Sequence, residues 1–452
     1  LAFTSTRDGE AGTETPQLFV LPVAGGEAER VTDVPGGVSE PTWSPDGSRI
    51  AFVQSTTAAE RASGVDRDVA NAGGEADDGY ERETPDPRVV DRLVYRRGTE
   101  YLDGARPHVY LAHLDRVDGA AVGSGGDRCE GSGEADGARP VVERVTDGEF
   151  DHATPAWGDA STLYCSAKRT GEEPDDSPEV DLLAYDTGAG ALREVGRTTG
   201  WGTDLAATAD GRLAHVRTPP ERLSMRQAEV DVLDVGTGAV RTLTAGLDRT
   251  VADAGVEWDP AERCVHFLTP DEGRVLARRV RDPESDAGDA NDDGDADGDG
   301  DGAGADAVAA GGGEPTVETL TDAGHATGFS PGADATAVVY SEWDHPGDVF
   351  LARHRDGDDA GSGGSDGAAG SPAGVTRLTE VNADYLDARR VGEPEAVRFE
   401  SDGHEVQGWV LYPPGTADAA RGGSDGEGER GGRGGDGGGD ADVGDRDGVG
   451  DE

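Results

Sequence analysis

A hairpin signature that recurs along the chain constrains the fold more than any other feature. Its best copy spans Ser39 to Gln54, S-E-P-T-W-S-P-D-G-S-R-I-A-F-V-Q, in which two strand-forming runs flank a turn. Pro45 presets φ for the second position of a type I turn, Asp46 suits the third, and Gly47 can take the left-handed conformation that ends it. Degraded copies follow at 155–166, 209–216, 257–269 and 328–341.

Each copy belongs to a longer repeat. The repeat adds an apolar strand such as Leu18 to Val23, a glycine turn, and a strand that ends in R-V-T-D or R-L-T, as at Arg30 to Asp33. Without insertions it has about 40 residues and four short strands, the size of a propeller blade. Strands such as Leu18 to Leu21 are apolar on both faces, which suits a sheet covered by neighbouring sheets on both sides. The sequence therefore predicts an all-β fold, a β-propeller of about six to seven four-stranded blades with an incomplete first blade.

Composition divides the chain into a repeat region, a short structured segment and a tail. The propeller is predicted over residues 1–394. Four Gly/Asp/Ala/Ser-rich insertions are expected to be disordered, mobile loops, at 56–82, 115–138, 281–313 and 354–373. Two alternating strands around a Ser401 to His404 turn are predicted within 395–415. Residues 416–452 form a Gly/Asp/Arg tail without periodicity, which we expect to be disordered.

The charge is the most extreme property of the composition. The formal net charge is −53, and Lys168 is the single lysine. A nucleic-acid partner is therefore not expected. Two explanations of the acidity stay open: an acidic surface that binds a partner, and adaptation to very high salt, in which dense carboxylates keep the surface hydrated. Because the acids are spread over the whole chain, we favour a halophilic protein that loses structure on desalting.

Cysteine usage and hydropathy bear on the compartment. Cys129, Cys165 and Cys264 are far apart and show no metal-ligand spacing, so reduced thiols are expected. No apolar run approaches the ~20 residues needed to span a membrane, and no signal peptide is visible. We expect a cytoplasmic protein without a membrane partner. Leu1 to Ser5 looks like the middle of a strand, so the true N-terminus is expected further upstream.

Two motifs imitate functional sites. The sequence G-x-S-x-G occurs around Ser365 and Ser424. Neither copy has the buried strand before it and the helix after it that a nucleophile elbow requires. The acidic spacer 289–306 imitates a calcium loop without flanking helices, so weak, nonspecific cation binding is expected. We therefore predict no catalytic residue, no metal site and no cofactor in this chain.

Aromatic residues supply the remaining candidates. Trp43, Trp157 and Trp258 hold equivalent positions in the repeat, which indicates packing between blades. Trp343 breaks that pattern, in the sequence S-E-W-D-H that ends at His345. We predict that Trp343 and His345 lie near the central tunnel or a domain interface, where they would help to gate substrate. The alternative for His345, which precedes a proline in a turn, is a packing role.

The order of these pieces resembles a known family. The repeat P-x-W-S-P-D-G-x-x-I-A-F looks like the TolB-like propeller repeat. Three further segments are D-G-E-F-D-H at 147–152, followed by Pro155 and Trp157; H-P-G-D-V-F-L at 345–351; and the exit at 399–414. Together they resemble the prolyl oligopeptidase family of serine peptidases, in its acylaminoacyl-peptidase and dipeptidyl-aminopeptidase branch. The resemblance covers roughly residues 1–415 apart from the spacers.

The resemblance implies an N-terminal propeller that limits substrates to short peptides, and a C-terminal α/β-hydrolase domain that supplies Ser, Asp and His. Residues 399–414 resemble lead-in strands of that domain. The His-Gly-Gly and buried G-x-S-x-G segments that should follow are not found, so no catalytic residue can be transferred to any position.

We therefore expect this chain to be the non-catalytic propeller portion of such a peptidase, and whether it counts as an enzyme stays open. The expected partners are short peptides and its own hydrolase domain, with self-association into a homo-oligomer left open. The alternative is a stand-alone TolB-like propeller that binds a protein or a peptide.

Overall fold

The computed structural model describes residues 1–7, 15–72, 80–117, 120–121, 140–283, 315–354 and 374–413. The chain divides into two units, residues 1–383 and 384–452. The first unit holds the repeats, and nearly all of its described elements are β-strands. Within the described ranges, every helix is too short and too polar to cross a lipid bilayer.

The strands of the first unit form six successive blades, which we number 1 to 6; the last two belong to one eight-stranded sheet. Blade 1 contains β1 (Ala2–Ser5), β2 (Gln17–Val20) and β3 (Glu29–Arg30). Blade 2 and its insertions contain β4 (Ser39–Trp43), β5 (Arg49–Thr56), α1 (Ala58–Ser63), a 3-10 helix (Val69–Ala72), β6 (Arg96–Arg97), β7 (Glu100–Tyr101), β8 (Arg106–Val117), β9 (Ala120–Ala121) and β10 (Pro140–Arg144).

The next two blades have four strands each. Blade 3 contains β11 (Asp151–Asp159), β12 (Thr162–Lys168), β13 (Glu179–Asp186) and β14 (Ala191–Thr199). Blade 4 contains β15 (Leu205–Ala207), β16 (Arg212–Arg217), a 3-10 helix (Leu223–Met225), β17 (Glu229–Asp234) and β18 (Val240–Thr242). The strands within each blade pair antiparallel in chain order.

The last two blades are joined by a single parallel bridge between Val275 and His325. Blade 5 contains β19 (Glu257–Trp258), β20 (Cys264–Asp271), β21 (Arg274–Arg281) and β22 (Val317–Thr319). Blade 6 contains β23 (His325–Pro331), β24 (Ala335–Glu342), β25 (His345–Arg353) and β26 (Val375–Arg377).

Blade 1 has three strands, and they correspond to the second, third and fourth strands of the other blades. β3 carries the arginine of the R-V-T ending, as β10 does in blade 2. The predicted β-propeller with an incomplete first blade is therefore confirmed, and the described residues form six blades.

The hairpin turn of blade 2 forms as its sequence predicts. The Gly47 N–H donates to the Ser44 carbonyl at 2.9 Å, and Gly47 has a φ of +70°, which a residue without Cβ adopts without strain. Asp46 accepts a 2.6 Å hydrogen bond from the Ser44 hydroxyl and further bonds from Ser48. These bonds, that of Ser44 first, lower the pKa of Asp46 to about 2. The charged carboxylate thus stabilises the turn.

The R-V-T and R-L-T endings, and the related T-L-T endings of blades 4 and 5, lie at the outer edge of the blades. In five blades the threonine hydroxyl accepts a hydrogen bond from a main-chain N–H at the start of the third strand. The pairs are Thr32 with Leu18 (2.9 Å), Thr146 with Val109 (3.0 Å), Thr244 with Val230 (2.9 Å), Thr321 with Ala277 (3.0 Å) and Thr379 with Val349 (2.9 Å). A buried N–H that would otherwise lack a partner is thereby satisfied.

The apolar residues form five clusters, and each cluster spans two consecutive blades. Between blades 2 and 3, for example, Val53 and Leu111 pack with Leu163 and Leu183, all of them buried. Each inner sheet therefore buries both faces, which explains why its strands lack a polar face.

The two cysteines that the structure describes behave as small core residues. Cys165 and Cys264 are buried free thiols. Burial raises the pKa of Cys165 to about 12 and that of Cys264 to about 11, so both stay protonated at neutral pH. Cys129 lies outside the described residues.

The first insertion differs from the prediction of a mobile loop. Helix α1 starts with a capping box, in which the Thr57 hydroxyl accepts from the Glu60 N–H at 3.2 Å and the Glu60 carboxylate accepts from the Thr57 N–H at 2.7 Å. Glu60 is buried and also binds Arg82 at 2.8 Å. The prediction was wrong over 57–72, because hydrogen-bonded charged groups hold this segment where apolar side chains are few.

Most of the other predicted insertions and the tail lie outside the described residues. This applies to the segments 122–139, 284–314, 355–373 and 414–452.

Two junctions between blades use the same tryptophan contact. Between blades 2 and 3, the Trp157 indole N–H donates to the Thr42 carbonyl at 3.2 Å. The Arg49 guanidinium lies 5.3 Å from the centre of the Trp157 ring and donates to the Ala160 carbonyl. The arginine and the tryptophan thus each bind the main chain of the other blade.

Blades 4 and 5 repeat this arrangement. The Trp258 indole N–H donates to the Ala206 carbonyl at 3.1 Å, and Arg212 lies 4.9 Å from the ring centre and donates to the Glu262 carbonyl at 2.9 Å. The predicted packing of tryptophans between blades is therefore confirmed at both positions. Trp43, at the equivalent position of blade 2, is 38% exposed, and the described part of blade 1 has no matching first strand for it to contact.

The second unit contains a two-stranded hairpin. A short helix, α2 (Ala383–Asp387), precedes β27 (Pro394–Ser401) and β28 (His404–Leu411). The strands pair antiparallel in full register, as the alternating sequence predicts. Both strands carry exposed apolar side chains, Phe399, Val406, Trp409 and Leu411.

Candidate functional site

The predicted site residues Trp343 and His345 both lie at the turn between β24 and β25 in blade 6. Trp343 is 44% exposed, whereas His345, the first residue of β25, is only 4% exposed. The structure therefore separates the two candidates into a surface residue and a buried one. Their position relative to a tunnel or a domain interface stays a prediction.

Aromatic rings hold the imidazole from one side. The rings of Tyr340 and Phe350 stack with a centroid separation of 3.8 Å, and the His345 ring lies 5.8 Å from the first and 5.4 Å from the second. Burial, followed by the negative charges of Glu342 and Asp322, raises the pKa of Tyr340 to about 12. The phenol is therefore neutral at physiological pH and acts here as a packing group.

Carboxylates surround the imidazole on its other sides. His345 Nε2 lies 3.7 Å from Glu342 Oε2 and 3.9 Å from Asp344 Oδ1, and His345 Nδ1 lies 3.9 Å from Asp348 Oδ2. These separations exceed hydrogen-bond length. In the described residues, buried Nδ1 has no hydrogen-bond partner.

Asp348 is the fixed member of this group. Its buried carboxylate accepts hydrogen bonds from the Thr379 hydroxyl at 2.6 Å, from the Val381 N–H at 2.8 Å and from Arg377. Burial opposes ionisation, but these bonds outweigh it and lower the pKa of Asp348 to about 2. Asp348 is thus a permanent negative charge beside His345, set by the R-L-T ending of the same blade.

The described residues contain one group of three potential metal ligands whose ligand atoms all lie within 4.8 Å of one another: Glu342, Asp344 and His345. We call it the His345 cluster. Sequence analysis identified His345 but not the two acids, because E-W-D-H matches no known ligand spacing. The two acids could be identified only from the structure, which shows that they lie beside a buried imidazole.

The other buried histidines that the structure describes contact threonines, main-chain groups or a glutamate. In the described residues, no hydrogen bond joins a serine hydroxyl to an imidazole; His108 contacts Thr146, and Thr336 contacts both His266 and His354. Both G-x-S-x-G motifs and the calcium-like spacer lie outside the described residues. The geometry therefore supports structural and binding roles for the described histidines.

Comparisons with known proteins agree with this fold. No family model matches the chain. Over 179 residues, 39% of its length, the chain is 31% identical to the uncharacterized peptidase YuxL of Bacillus subtilis strain 168, and the match covers 21% of that protein.

Solved structures extend the similarity to most of the chain. The acylaminoacyl peptidase of Pyrococcus horikoshii has a TM-score of 0.55 at 14% identity, and an acylaminoacyl peptidase in complex with Z-Gly-Gly-Phe-chloromethyl ketone has a TM-score of 0.57 at 13% identity. Each match covers 91% of this chain and 48% of the solved one, so the chain spans about half the length of these relatives.

The blades and their junctions define a β-propeller protein. The 179-residue similarity to a peptidase agrees with the resemblance of the motifs at 147–157 and 345–351 to the prolyl oligopeptidase family of peptidases.

Proposed function

We propose that this chain is the propeller portion of a prolyl-oligopeptidase-like serine peptidase. In this proposal the propeller admits short peptides to an α/β-hydrolase domain and keeps folded or long chains away from it. The hydrolase domain supplies the serine that forms an acyl-enzyme, the histidine that moves the proton, and the aspartate that orients the histidine. The similarity to acylaminoacyl peptidases, which are about twice as long as the matched region, supports this assignment.

The observation that carries the proposal is the hairpin β27–β28. Paired residues of a hairpin lie on one face, so Trp409 and Ala396 share one face, and Phe399 and Val406 share the other. Trp409 is 53% exposed and Phe399 is 54% exposed. An isolated two-stranded hairpin is marginal in water, and apolar groups on both faces suit strands covered from two sides. Such strands fit the beginning of a layered α/β domain.

The alternative of a stand-alone propeller gives this hairpin no role. A propeller blade already buries its faces against neighbouring blades, and the five clusters of the first unit do so without residues of the hairpin. Exposed apolar side chains on both faces would then be a liability for aggregation. The hairpin therefore favours the peptidase.

The experiment compares this chain with the protein encoded when the reading frame continues past Glu452. We expect the longer protein to hydrolyse chromogenic acyl-aminoacyl anilides and short peptides, and to leave a denatured protein substrate intact. This chain alone should hydrolyse none of them. A double variant, Phe399→Ala with Trp409→Ala, should strongly reduce turnover by the longer protein, while Glu400→Ala, an exposed polar control in the same hairpin, should not.

Three outcomes would contradict the proposal. A stop codon directly after Glu452 would favour the stand-alone binding module. Cleavage of the denatured protein as fast as of short peptides would remove the gating role. Turnover by this chain alone that survives Ser365→Ala and Ser424→Ala would require a catalytic site within these residues.

A further inference from the structure

We propose that Glu342, Asp344 and His345 bind a divalent transition-metal ion, with Zn²⁺ the best match, and that Asp348 orients the imidazole. This inference does not depend on the proposed peptidase function, because all four residues lie in blade 6 of the propeller.

The spacing of the ligand atoms suits one ion. Two atoms that each lie about 2.0–2.2 Å from a zinc ion are separated by no more than about 4.4 Å. The separations of 3.7 Å and 3.9 Å between His345 Nε2 and the two carboxylate oxygens meet this limit. The three atoms together lie within 4.8 Å of one another, so small rotations of the exposed carboxylates complete the set.

The buried imidazole is the independent observation that points to a ligand. The His345 side chain is 3% exposed, and its buried Nδ1 has no hydrogen-bond partner in the described residues. A buried polar group without a partner destabilises the fold, so its presence calls for an explanation. The more accessible nitrogen, Nε2, faces the two acids. An ion bound at Nε2 would leave the ring proton on Nδ1, which could then donate to Asp348 and gain the partner that it lacks.

Asp348 lies beside the other ring nitrogen of His345, Nδ1. Histidines that bind metals usually donate their second N–H to a carboxylate, which fixes the ring and its tautomer. Asp348 Oδ2 lies 3.9 Å from His345 Nδ1, and Arg377 and Thr379 hold this carboxylate in place. A small movement of the ring would turn this contact into a hydrogen bond.

The ligand chemistry selects the class of ion. One imidazole and two carboxylates suit Zn²⁺ and related transition metals, whereas Ca²⁺ and Mg²⁺ prefer oxygen ligands alone. The side chains of Glu342 and Asp344 are 37% and 50% exposed, so an ion can enter from solvent and keep water at its remaining positions. Trp343, between the two acids in sequence, provides an optical signal.

The test titrates Zn²⁺ into chelator-treated protein by calorimetry in high salt, with Ca²⁺ as a competitor. We expect one site that Ca²⁺ in large excess does not displace. Glu342→Gln and Asp344→Asn, both exposed changes that should not affect folding, should each weaken Zn²⁺ binding at least tenfold. His345→Gln should abolish it. Glu400→Gln, an exposed acid in the hairpin β27–β28, is the matched control and should bind Zn²⁺ as the unmodified protein does.

Fluorescence locates the ion. Co²⁺, which quenches nearby indoles, should reduce tryptophan emission in the unmodified protein, and Trp343→Phe should remove this quenching while leaving Zn²⁺ binding intact. Unchanged Zn²⁺ affinity in both carboxylate variants would overturn the proposal, whether or not His345→Gln folds. So would displacement by equimolar Ca²⁺, which would indicate nonspecific binding to the acidic surface.

Discussion

The junction between blades 2 and 3 and the junction between blades 4 and 5 share one tryptophan contact but differ in their buried polar groups. At the first, the ring of His108 lies 5.2 Å from that of His152. At the second, the fully buried Asp282 accepts hydrogen bonds from Arg212 at 3.0 Å and from Arg241 at 2.6 and 2.8 Å. The most deeply buried polar groups are thus histidines at the first junction, beside the less buried Arg106–Asp151 ion pair, and charged groups at the second.

The difference has a physical consequence. Burial, followed by the neighbouring His152, lowers the pKa of His108 to about 3, with Arg61, Arg144 and Asp147 also facing the ring. Burial likewise lowers the pKa of His152 to about 4. The first junction therefore depends on histidines that stay neutral, and the second depends on a charge that stays paired. Acid should weaken the first, and loss of a partner should weaken the second.

The largest effect is expected from Asp282→Asn at the charged junction. The change leaves two arginines beside a neutral amide in a buried site, and breaking such a network typically costs about 3–5 kcal/mol. Denaturant unfolding at constant high salt measures the loss. Glu221→Gln, an exposed change in blade 4, should change stability by less than about 0.5 kcal/mol. A cost below about 1 kcal/mol for Asp282→Asn would show that the ion network contributes little to this junction.

The second-largest effect is expected on lowering the pH, at the junction between blades 2 and 3, where His108 and His152 are neutral. Because the folded pKa of His108 lies below its ordinary value of 6.5, the unfolded chain binds a proton that the folded chain does not. The contribution of neutral His108 to the free energy of unfolding is fully present above pH 6.5 and falls as the pH drops towards 3. Between pH 7 and pH 5, His108→Gln should therefore lose about 2 kcal/mol less stability than the unmodified protein.

The chain itself indicates that glutamine fits there. In blade 1, Gln17 Oε1 accepts a 3.0 Å hydrogen bond from the Thr32 hydroxyl, as His108 Nδ1 lies 3.2 Å from the Thr146 hydroxyl in blade 2. Unfolding curves at pH 7 and pH 5 measure the difference. His404→Gln, an exposed change of the same kind in the hairpin β27–β28, is the matched control. Equal acid sensitivity of His108→Gln and the unmodified protein would remove His108 as its source.

The smallest effect is expected from replacing the tryptophan that both junctions share. Trp157→Phe and Trp258→Phe each remove one hydrogen bond to a main-chain carbonyl and weaken one arginine–indole contact. Each should cost about 1–2 kcal/mol, and the two costs should agree closely. Trp43→Phe, at the exposed equivalent position, should be nearly neutral in the same unfolding assay. A cost at Trp43 equal to the others would show that the junction contacts are not the reason for these tryptophans.

Much of the fold could be predicted because the repeat depends on the backbone preferences and the hydrophobicity of neighbouring residues. Pro45, Asp46 and Gly47 determine a turn by their own backbone preferences, and strands apolar on both faces require neighbouring sheets. The buried polar groups could not be predicted in this way. Glu60, for example, lies in a segment too polar to predict as ordered, and its burial depends on Arg82, far along the chain.

The candidate site was predicted only in part. Trp343 and His345 stood out as breaks in the repeat, but nothing in E-W-D-H distinguishes an exposed acid from a ligand. The stacking of Tyr340 on Phe350 beside His345 arises from the register between β24 and β25. Strand register is a property of the folded sheet, which places residues distant in sequence side by side.

The sequence by itself determined the blade architecture and the hairpin turn of blade 2, because these depend on short-range preferences, and the blade pattern is repeated along the chain. Only the tertiary structure decided which polar groups are buried, which histidines are neutral and which acids meet an imidazole. The energy of an ionisable group depends on its solvation and on charges within a few ångströms, and those neighbours come from other strands and other blades.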